Sequence, residues 1–429
     1  MWSKVFKSFG FIAILCCIYM YLTYLCGDKV SYWIRDEYYS CEEDIEVFFL
    51  GTSRVYDAIY PMELYRDYGI ASYNFGSEGE RMAMTYYVLL DALQYKKPKV
   101  LVIDVHALMF GNQKNDPEIP TRSHVVFDAM HPSYVKYSGI LDTIEKDIRF
   151  DFLCPLNYYH NRWNELEEKD FQKQRNYGYG SRYDSSVTLI KDMEYPLIQL
   201  NEDAVYEDNE STRYLKKIIE TSKREGIDVI LTYFPYVPWQ GAQLVTDEAY
   251  AIAREEGVPY INGFQYAKAM NFSYDLDTKD GIGGHLNPSG ARKVTKWYGN
   301  YLRRNYVLSD FRKMEESNEW NKKYFDYQRL FKNNMILNCD GGLELYLTYI
   351  SDPDYNIEIY VNKEGIDEEE LYWIVRLVDN AKKLTNIRYE ENAELKSDLE
   401  IVVSEKRSGQ VVDYSYWNWD SSIKQALRI

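Results

Sequence analysis

From residue 45 onward, short wholly apolar runs alternate with stretches whose apolar residues recur every three or four positions. IEVFFLG reads as a buried strand, VYDAIYPMELYRDYG as a helix with a proline near its start, and IASYNFG as a second strand. RMAMTYYVLLDALQYKK then predicts a helix and KVLVIDV a third strand. Between 111 and 200 the pattern dissolves into polar and aromatic residues without a period, a length that marks an insertion or lid. The alternation resumes with TRYLKKIIETSKREG, an amphipathic helix ending at Gly226, followed by the strand IDVILTYFP, the helix DEAYAIAREEG and the short strand VPYIN. This order predicts an α/β domain over 45–330, a parallel sheet with helices on both faces. Past Phe331, IEIYV, IVVSEK and VVDYSYW read as strands and DEEELYWIVRLVDNA as a helix, a smaller α+β unit over 340–429. Its acidic run Asp367–Glu370 fits the first turn of that helix, where carboxylates meet the positive end of the dipole.

Ahead of these domains, Ser8 to Gly27 carry no charge (SFGFIAILCCIYMYLTYLCG). Twenty residues at 1.5 Å each cross a hydrocarbon core of roughly 30 Å, so 8–27 predicts a transmembrane anchor. Bulky Tyr21, Leu22, Tyr24 and Leu25 run to its end, where a cleaved signal peptide carries small residues. Lys4 and Lys7 precede it and mixed charges follow, which places residues 1–7 in the cytoplasm and the bulk of the chain outside, in a single-pass cell-membrane protein.

Composition narrows the function classes. The 429 residues are 46% hydrophobic and 27% charged, as in a globular protein of two or three units. Lys and Arg number 50 against 67 Asp and Glu, a net charge of −17, which disfavours nucleic acid as a partner. The stretch from Asp340 to Ile429 holds 10 basic and 19 acidic residues, more than half of that excess, and reads as an accessory or docking domain. Of six cysteines, Cys16, Cys17 and Cys26 belong to the anchor; Cys41, Cys154 and Cys339 are scattered and imply no disulfide framework. With five dispersed histidines and no CxxC, neither a metal nor another cofactor is expected.

The candidate chemistry starts at FFLGTSRVYD, where Ser53 follows a strand and opens a helix. In a parallel sheet that point is a carboxyl edge, where ligands bind, so Ser53 is a candidate nucleophile; helix capping by Thr52 or Ser53 is the plainer reading. Far downstream, DGIGGHLNPSGARKVTKW sets His285 in a glycine-rich loop before a helix. A serine needs a base and the base needs an acid to fix its tautomer, which His285 and Asp280 can supply. No GxSxG surrounds Ser53, which argues against the ordinary α/β-hydrolase class. In YYHNRW, Tyr159, His160, Arg162 and Trp163 join a cation to aromatic faces and suit a sugar ring or an anion, with core packing as the alternative.

GTS at the first strand, YNFGSEG within DYGIASYNFG at the second, KPKVLVIDV at the third, YYHNRW and D…HLNPSGARKVT together resemble the SGNH (GDSL-type) hydrolase superfamily over about residues 45–310. Within it, the chain is similar to membrane-anchored bacterial members that accompany membrane-bound O-acyltransferases, and to the D-alanyl transfer protein of teichoic acid synthesis. The resemblance implies a flavodoxin-like three-layer α/β/α sandwich. The family's acid stands three residues before the histidine, where this chain has Ile282; Asp280 lies five before, with Asp277 and Asp275 farther back. Its Gly-x-Asn-Asp block is replaced by Asp104-Val105-His106, a strand end that orders the insertion. The oxyanion site implied is the N–H of Ser53 and of Gly76, with Asn74 in the asparagine role. The expected function is an extracytoplasmic serine acyltransferase or esterase on a cell-surface glycan or other acylated substrate, partnered by a multipass membrane O-acyltransferase. The rival is a degenerate scaffold of the same fold that binds glycan or that acyltransferase.

Overall fold

The computed structural model describes residues 2–112, 119–171, 194–314, 317–391, 395–422 and 425–429. It opens with helix α1 (Trp2–Cys26) and, after a break at Gly27, helix α2 (Lys29–Ser40), capped by Asp28. Phe6–Cys26 is long and apolar enough to span a membrane, as a signal sequence near the N-terminus also is.

The first domain is built on a parallel sheet of five strands in the order β2-β1-β3-β4-β5: β1 (Val47–Leu50), β2 (Ser72–Asn74), β3 (Val100–Asp104), β4 (Asp228–Tyr233) and β5 (Tyr260–Asn262). Every residue of β1 and β3 is buried, which is why these strands read as continuous apolar runs rather than alternating ones. The expected first helix is two: α3 (Ser53–Ala58) and α4 (Pro61–Tyr68). Pro61 starts the second and forces Tyr60 into an extended conformation, so no single helix runs through. Helix α5 (Met82–Ala92) leads into β3.

The described part of the insertion is more ordered than its sequence suggests. It holds α6 (Ile119–Phe127), α7 (Tyr134–Thr143), α8 (Arg149–Leu153), α9 (Pro155–Tyr158) and α10 (Glu168–Phe171). Residues 113–118 and 172–193 of the expected 111–200 insertion lie outside the described residues.

Beyond it come α11 (Glu210–Arg224), opened by an Asn209–Thr212 capping box, then α12 (Ala242–Glu256), α13 (Gly263–Tyr266), the two-residue strands β6 (Thr278–Lys279) and β7 (His285–Leu286), and α14 (Pro288–Asn305). Helix α11 packs on both α5 and α12, and α14 packs on α3 and α4.

Helices α15 (Ser317–Asp326), α16 (Asn333–Leu337) and α17 (Gly342–Ile350) lead to a second sheet, ordered β12-β11-β10-β8-β9, with its own core. Its strands are β8 (Tyr355–Val361), β9 (Asn386–Glu391), β10 (Leu399–Glu405), β11 (Val411–Asp420) and β12 (Gln425–Arg428), and α18 (Glu368–Ala381) crosses between the first two. Asp367 caps α18 through the Glu369 amide, with Glu368 to Glu370 in the first turn.

This unit is joined to the first through buried charge. Arg292 of α14 donates to the carbonyls of Thr348, Tyr349 and Ser351 and pairs with Asp352 at 3.0 Å and Glu63 at 3.2 Å. Arg66 and Lys332 also reach Asp352. Leu276, from the loop before β6, belongs to the second core. The C-terminal unit thus holds the segment that carries the candidate acid and base.

Candidate active site

The turn after β1 decides which side chain is free to react. Gly51 has φ +139°, and a Cβ there would stand 2.9 Å from the Cβ of Asp104, so the ends of β1 and β3 meet only because residue 51 is glycine. Thr52 caps α3: its Oγ1 accepts from the Arg54 amide at 3.4 Å and donates to Asp104 Oδ2 at 3.1 Å. Capping therefore falls to Thr52. Ser53, the first residue of the helix, keeps its hydroxyl for His285, with Oγ 2.8 Å from Nε2.

His285 is presented by a hairpin. β6 and β7 pair antiparallel with Lys279 opposite His285, and between them Asp280, Gly281 and Gly283 take left-handed conformations with φ of 67°, 77° and 71°. A Cβ on Gly284 would lie 2.2 Å from the Lys279 carbonyl oxygen. The tight reversal folds Asp280 back onto the ring, and its Oδ2 stands 3.2 Å from His285 Nδ1. That geometry accounts for an acid five residues before the histidine. The other two aspartates serve elsewhere. Asp277 is wholly buried and accepts from Lys293 Nζ at 2.7 Å, Ser289 Oγ at 2.9 Å, Asn380 Nδ2 at 2.8 Å and the Ser273 amide at 2.8 Å. Asp275 pairs with Arg376 of α18.

Separate outcomes follow for the two carboxylates. Asp277→Asn breaks a buried ion pair and is expected to remove about 3 kcal/mol of stability, seen as a lower denaturation midpoint. Asp280→Asn is expected to leave stability alone, because asparagine tolerates a left-handed backbone. Its side chain is 43% exposed, so the loss of turnover is set at on the order of 10²-fold, less than for a buried triad acid. An Asp277→Asn variant that melts normally but turns nothing over would reverse the assignment.

Several neighbours of the pair were not marked by sequence reading. Arg54, buried, donates Nη1 to the Gly284 carbonyl at 2.7 Å and Nη2 to that of Gly283, and its guanidinium lies 3.5 Å over the ring of Tyr236. The residue after the serine thus grips the backbone just before the histidine. Asp57, one turn after Ser53, has Oδ2 4.0 Å from His285 Nε2, while its Oδ1 takes Lys279 Nζ at 3.2 Å.

Burial, and next the charge of Arg54, hold the His285 imidazole below its ordinary value against the pull of Asp280. The ring is then neutral near pH 7 and able to take a proton. Asp104, buried behind Thr52, is pushed up to about 7 by burial. His106 is held well below its ordinary value by burial and then by the charges of Arg54 and His285. Its Nδ1 lies 3.2 Å from the Tyr233 hydroxyl, which itself accepts from Tyr236. In the tautomer whose Nδ1 accepts from Tyr233, the neutral His106 carries its proton on Nε2.

One sequence-based assignment is corrected. The Gly76 amide donates to Asn74 Oδ1 at 3.0 Å, and Asn74 Nδ2 donates to the carbonyls of Val55 and Ile59, each at 2.9 Å. Neither is left as an oxyanion donor. Both brace the turn: a Cβ on Gly76 would lie 2.9 Å from the Thr52 carbonyl oxygen. His160, Arg162 and Trp163, the expected ligand contacts, lie in the insertion. Arg162 donates Nη1 to the carbonyls of Cys26 at 2.9 Å and Gly27 at 3.3 Å and Nη2 to Asp170 at 3.0 Å, so it binds the end of α1. His160 bonds the Asn157 carbonyl and Trp163 is exposed, and neither contacts the serine–histidine pair.

A cavity of 1060 Å³ between α15 and the β10–β11 turn shares no residue with that pair, so cavity size does not locate the chemistry. Among the described residues, no group of three or more His, Cys, Asp or Glu side chains is arranged to hold a metal ion. No family model matches this chain, and no curated protein matches it.

Proposed function

We propose that this chain is a single-pass, membrane-anchored serine acyltransferase or esterase of the SGNH type, with its bulk outside the cell, acting on O-acyl groups of a cell-surface glycan. The observation that carries the reading is the Ser53 Oγ–His285 Nε2 distance of 2.8 Å, with Asp280 on the far side of the ring. The sets α5-α11-α12 and α3-α4-α14 are read as the two outer layers of a flavodoxin-like α/β/α sandwich.

In the first half-reaction, Ser53 Oγ bonds to the acyl carbonyl carbon as its proton passes to His285 Nε2. The tetrahedral oxyanion collapses, the bond to the leaving oxygen breaks, and that oxygen takes the proton from Nε2. In the second half, an acceptor hydroxyl or water gives its proton to Nε2 and attacks the acyl-serine, and Ser53 leaves with that proton. Asp280 stabilises the imidazolium formed at each step, and Asp57 adds negative charge 4.0 Å from Nε2.

With Gly76 and Asn74 engaged, the oxyanion falls to two other donors. The Ser53 amide opens α3 and has no carbonyl a turn earlier to donate to. His106 stands two residues past Asp104, as Ser53 stands two past Gly51 on the adjacent strand end, and it brings a neutral Nε2–H. His106→Ala is expected to lower kcat on the order of 10²-fold, the loss of one oxyanion donor, while Ser53 still reacts with an activated phosphonate. Unchanged kcat would remove His106 from the site.

The functional test is turnover of a chromogenic acyl ester by the full chain in detergent, with and without a sugar alcohol. A transferase raises the yield of acylated sugar at the expense of free acid, and an esterase releases acid alone. No turnover of any activated ester would leave the scaffold reading.

A further inference from the structure

The geometry points to a second membrane-contact element: the α8–α10 segment of the insertion, seated in the bilayer interface beside the anchor, with the carboxyl edge of the parallel sheet turned toward the lipid. This rests on reading α1 as a transmembrane anchor.

The argument begins with length. Phe6 to Ile18 is exposed along its whole course, but these residues make only about 20 Å of helix, short of the roughly 30 Å hydrocarbon core. The remaining depth comes from Tyr19–Cys26, one side of which is packed on protein: Leu25 and Cys26 are buried and Tyr19, Thr23 and Tyr24 half-buried, while Met20, Tyr21 and Leu22 stay exposed. Tyr19 lies beside Cys154 and Leu156, and α1 contacts both α9 and α10. Arg162 closes the end of the helix, placing a cation on the last carbonyls of α1, where the dipole is negative. Whatever depth the end of α1 reaches, these short helices share it.

Their outer surface suits that place. Phe150, Leu153, Trp163 and Phe171 are exposed, Phe150 to 62% and Trp163 to 67%. Leu153 ends α8, which packs on α9, Trp163 follows the arginine that holds α1, and Phe171 lies on α10; α9 and α10 both contact the anchor. Aromatic residues gathered at one end of a membrane span are the composition of an interfacial belt, and Tyr24, Tyr32 and Trp33 add to it from the anchor side.

Orientation follows from α2. Arg35 lies over the ring of Phe75, just past the carboxyl end of β2, and Tyr38, a turn later, packs on Phe48 and Tyr73 within the strands. The helix therefore descends from the carboxyl edge toward the amino edge. Its start, and with it the anchor, belongs to the edge that holds Ser53 and His285. Val307 marks the opposite edge, where its carbonyl accepts from Lys99 just before β3.

The test uses the full chain in lipid nanodiscs with an environment-sensitive fluorescent amino acid in place of Phe150, Leu153 or Trp163, one at a time. Ile14 in the anchor and Val307 serve as references, and the lipids carry a nitroxide quencher near the headgroup. Positions 150, 153 and 163 are expected to be quenched several-fold more than 307 and blue-shifted. If position 14 is quenched but those three behave like 307, the insertion sits in water or is kept for a protein partner, and the proposal is overturned. If position 14 is unquenched too, the anchor reading fails and takes the proposal with it.

Discussion

Ser53→Ala and His285→Ala are each expected to lower acyl-ester turnover by ~10⁵-fold or more, and the double variant to lose no more than either alone, because nucleophile and base act as one unit. Neither change should unfold the protein. Ser53 gives up one hydroxyl at the start of a short helix whose cap is Thr52, and removal of the His285 ring leaves Asp57 paired with Lys279. Steady-state rates with a chromogenic ester, beside thermal melts of the same preparations, check both halves. Full activity in Ser53→Ala would end the enzyme reading and leave a scaffold.

The second large effect is expected at Arg54. Arg54→Ala removes the two charge-assisted bonds to the Gly283 and Gly284 carbonyls that hold the backbone before His285. A shift of about 1 Å in a catalytic group costs on the order of 10²-fold in rate, and that loss in kcat is predicted. Arg54→Lys should not restore it, since a single ammonium cannot reproduce the planar fork on two carbonyls. The pH profile separates positioning from general damage. Arg54 lowers the His285 pKa and Asp280 raises it. The acid limb of kcat/KM should thus have its midpoint below about 6.5 in the unsubstituted protein, move to higher pH in Arg54→Ala, and move to lower pH in Asp280→Asn. Two variants that both lose rate with no shift of the limb would argue against these assignments.

The strands of the first domain were legible because strands buried on both faces are written as apolar runs, and β1 and β3 are such strands. Ser53 was legible as a strand-end serine, and the structure brings it to His285 across 232 positions. The acid was legible only as a choice of three. Spacing counts residues along an extended loop, whereas three left-handed residues between β6 and β7 bend this one back. Helices α6 to α10 were hidden because each is too short to sustain a period. Gly76 and Asn74 show a different limit: residue type reveals that a donor exists, not whether a neighbouring acceptor has already engaged it. Asp57 did leave a signal, four residues from Ser53 on one helix face. Arg54 left none, since its two acceptors are backbone carbonyls 229 and 230 positions away.

The most direct measurement of the central claim is peptide mapping by mass spectrometry of the purified full chain after reaction with a fluorophosphonate at neutral pH. The account predicts one stoichiometric adduct on the Ser53 hydroxyl, formed far more slowly in His285→Ala and absent after Ser53→Ala. An adduct on any other residue, or none at all on folded protein, would contradict it.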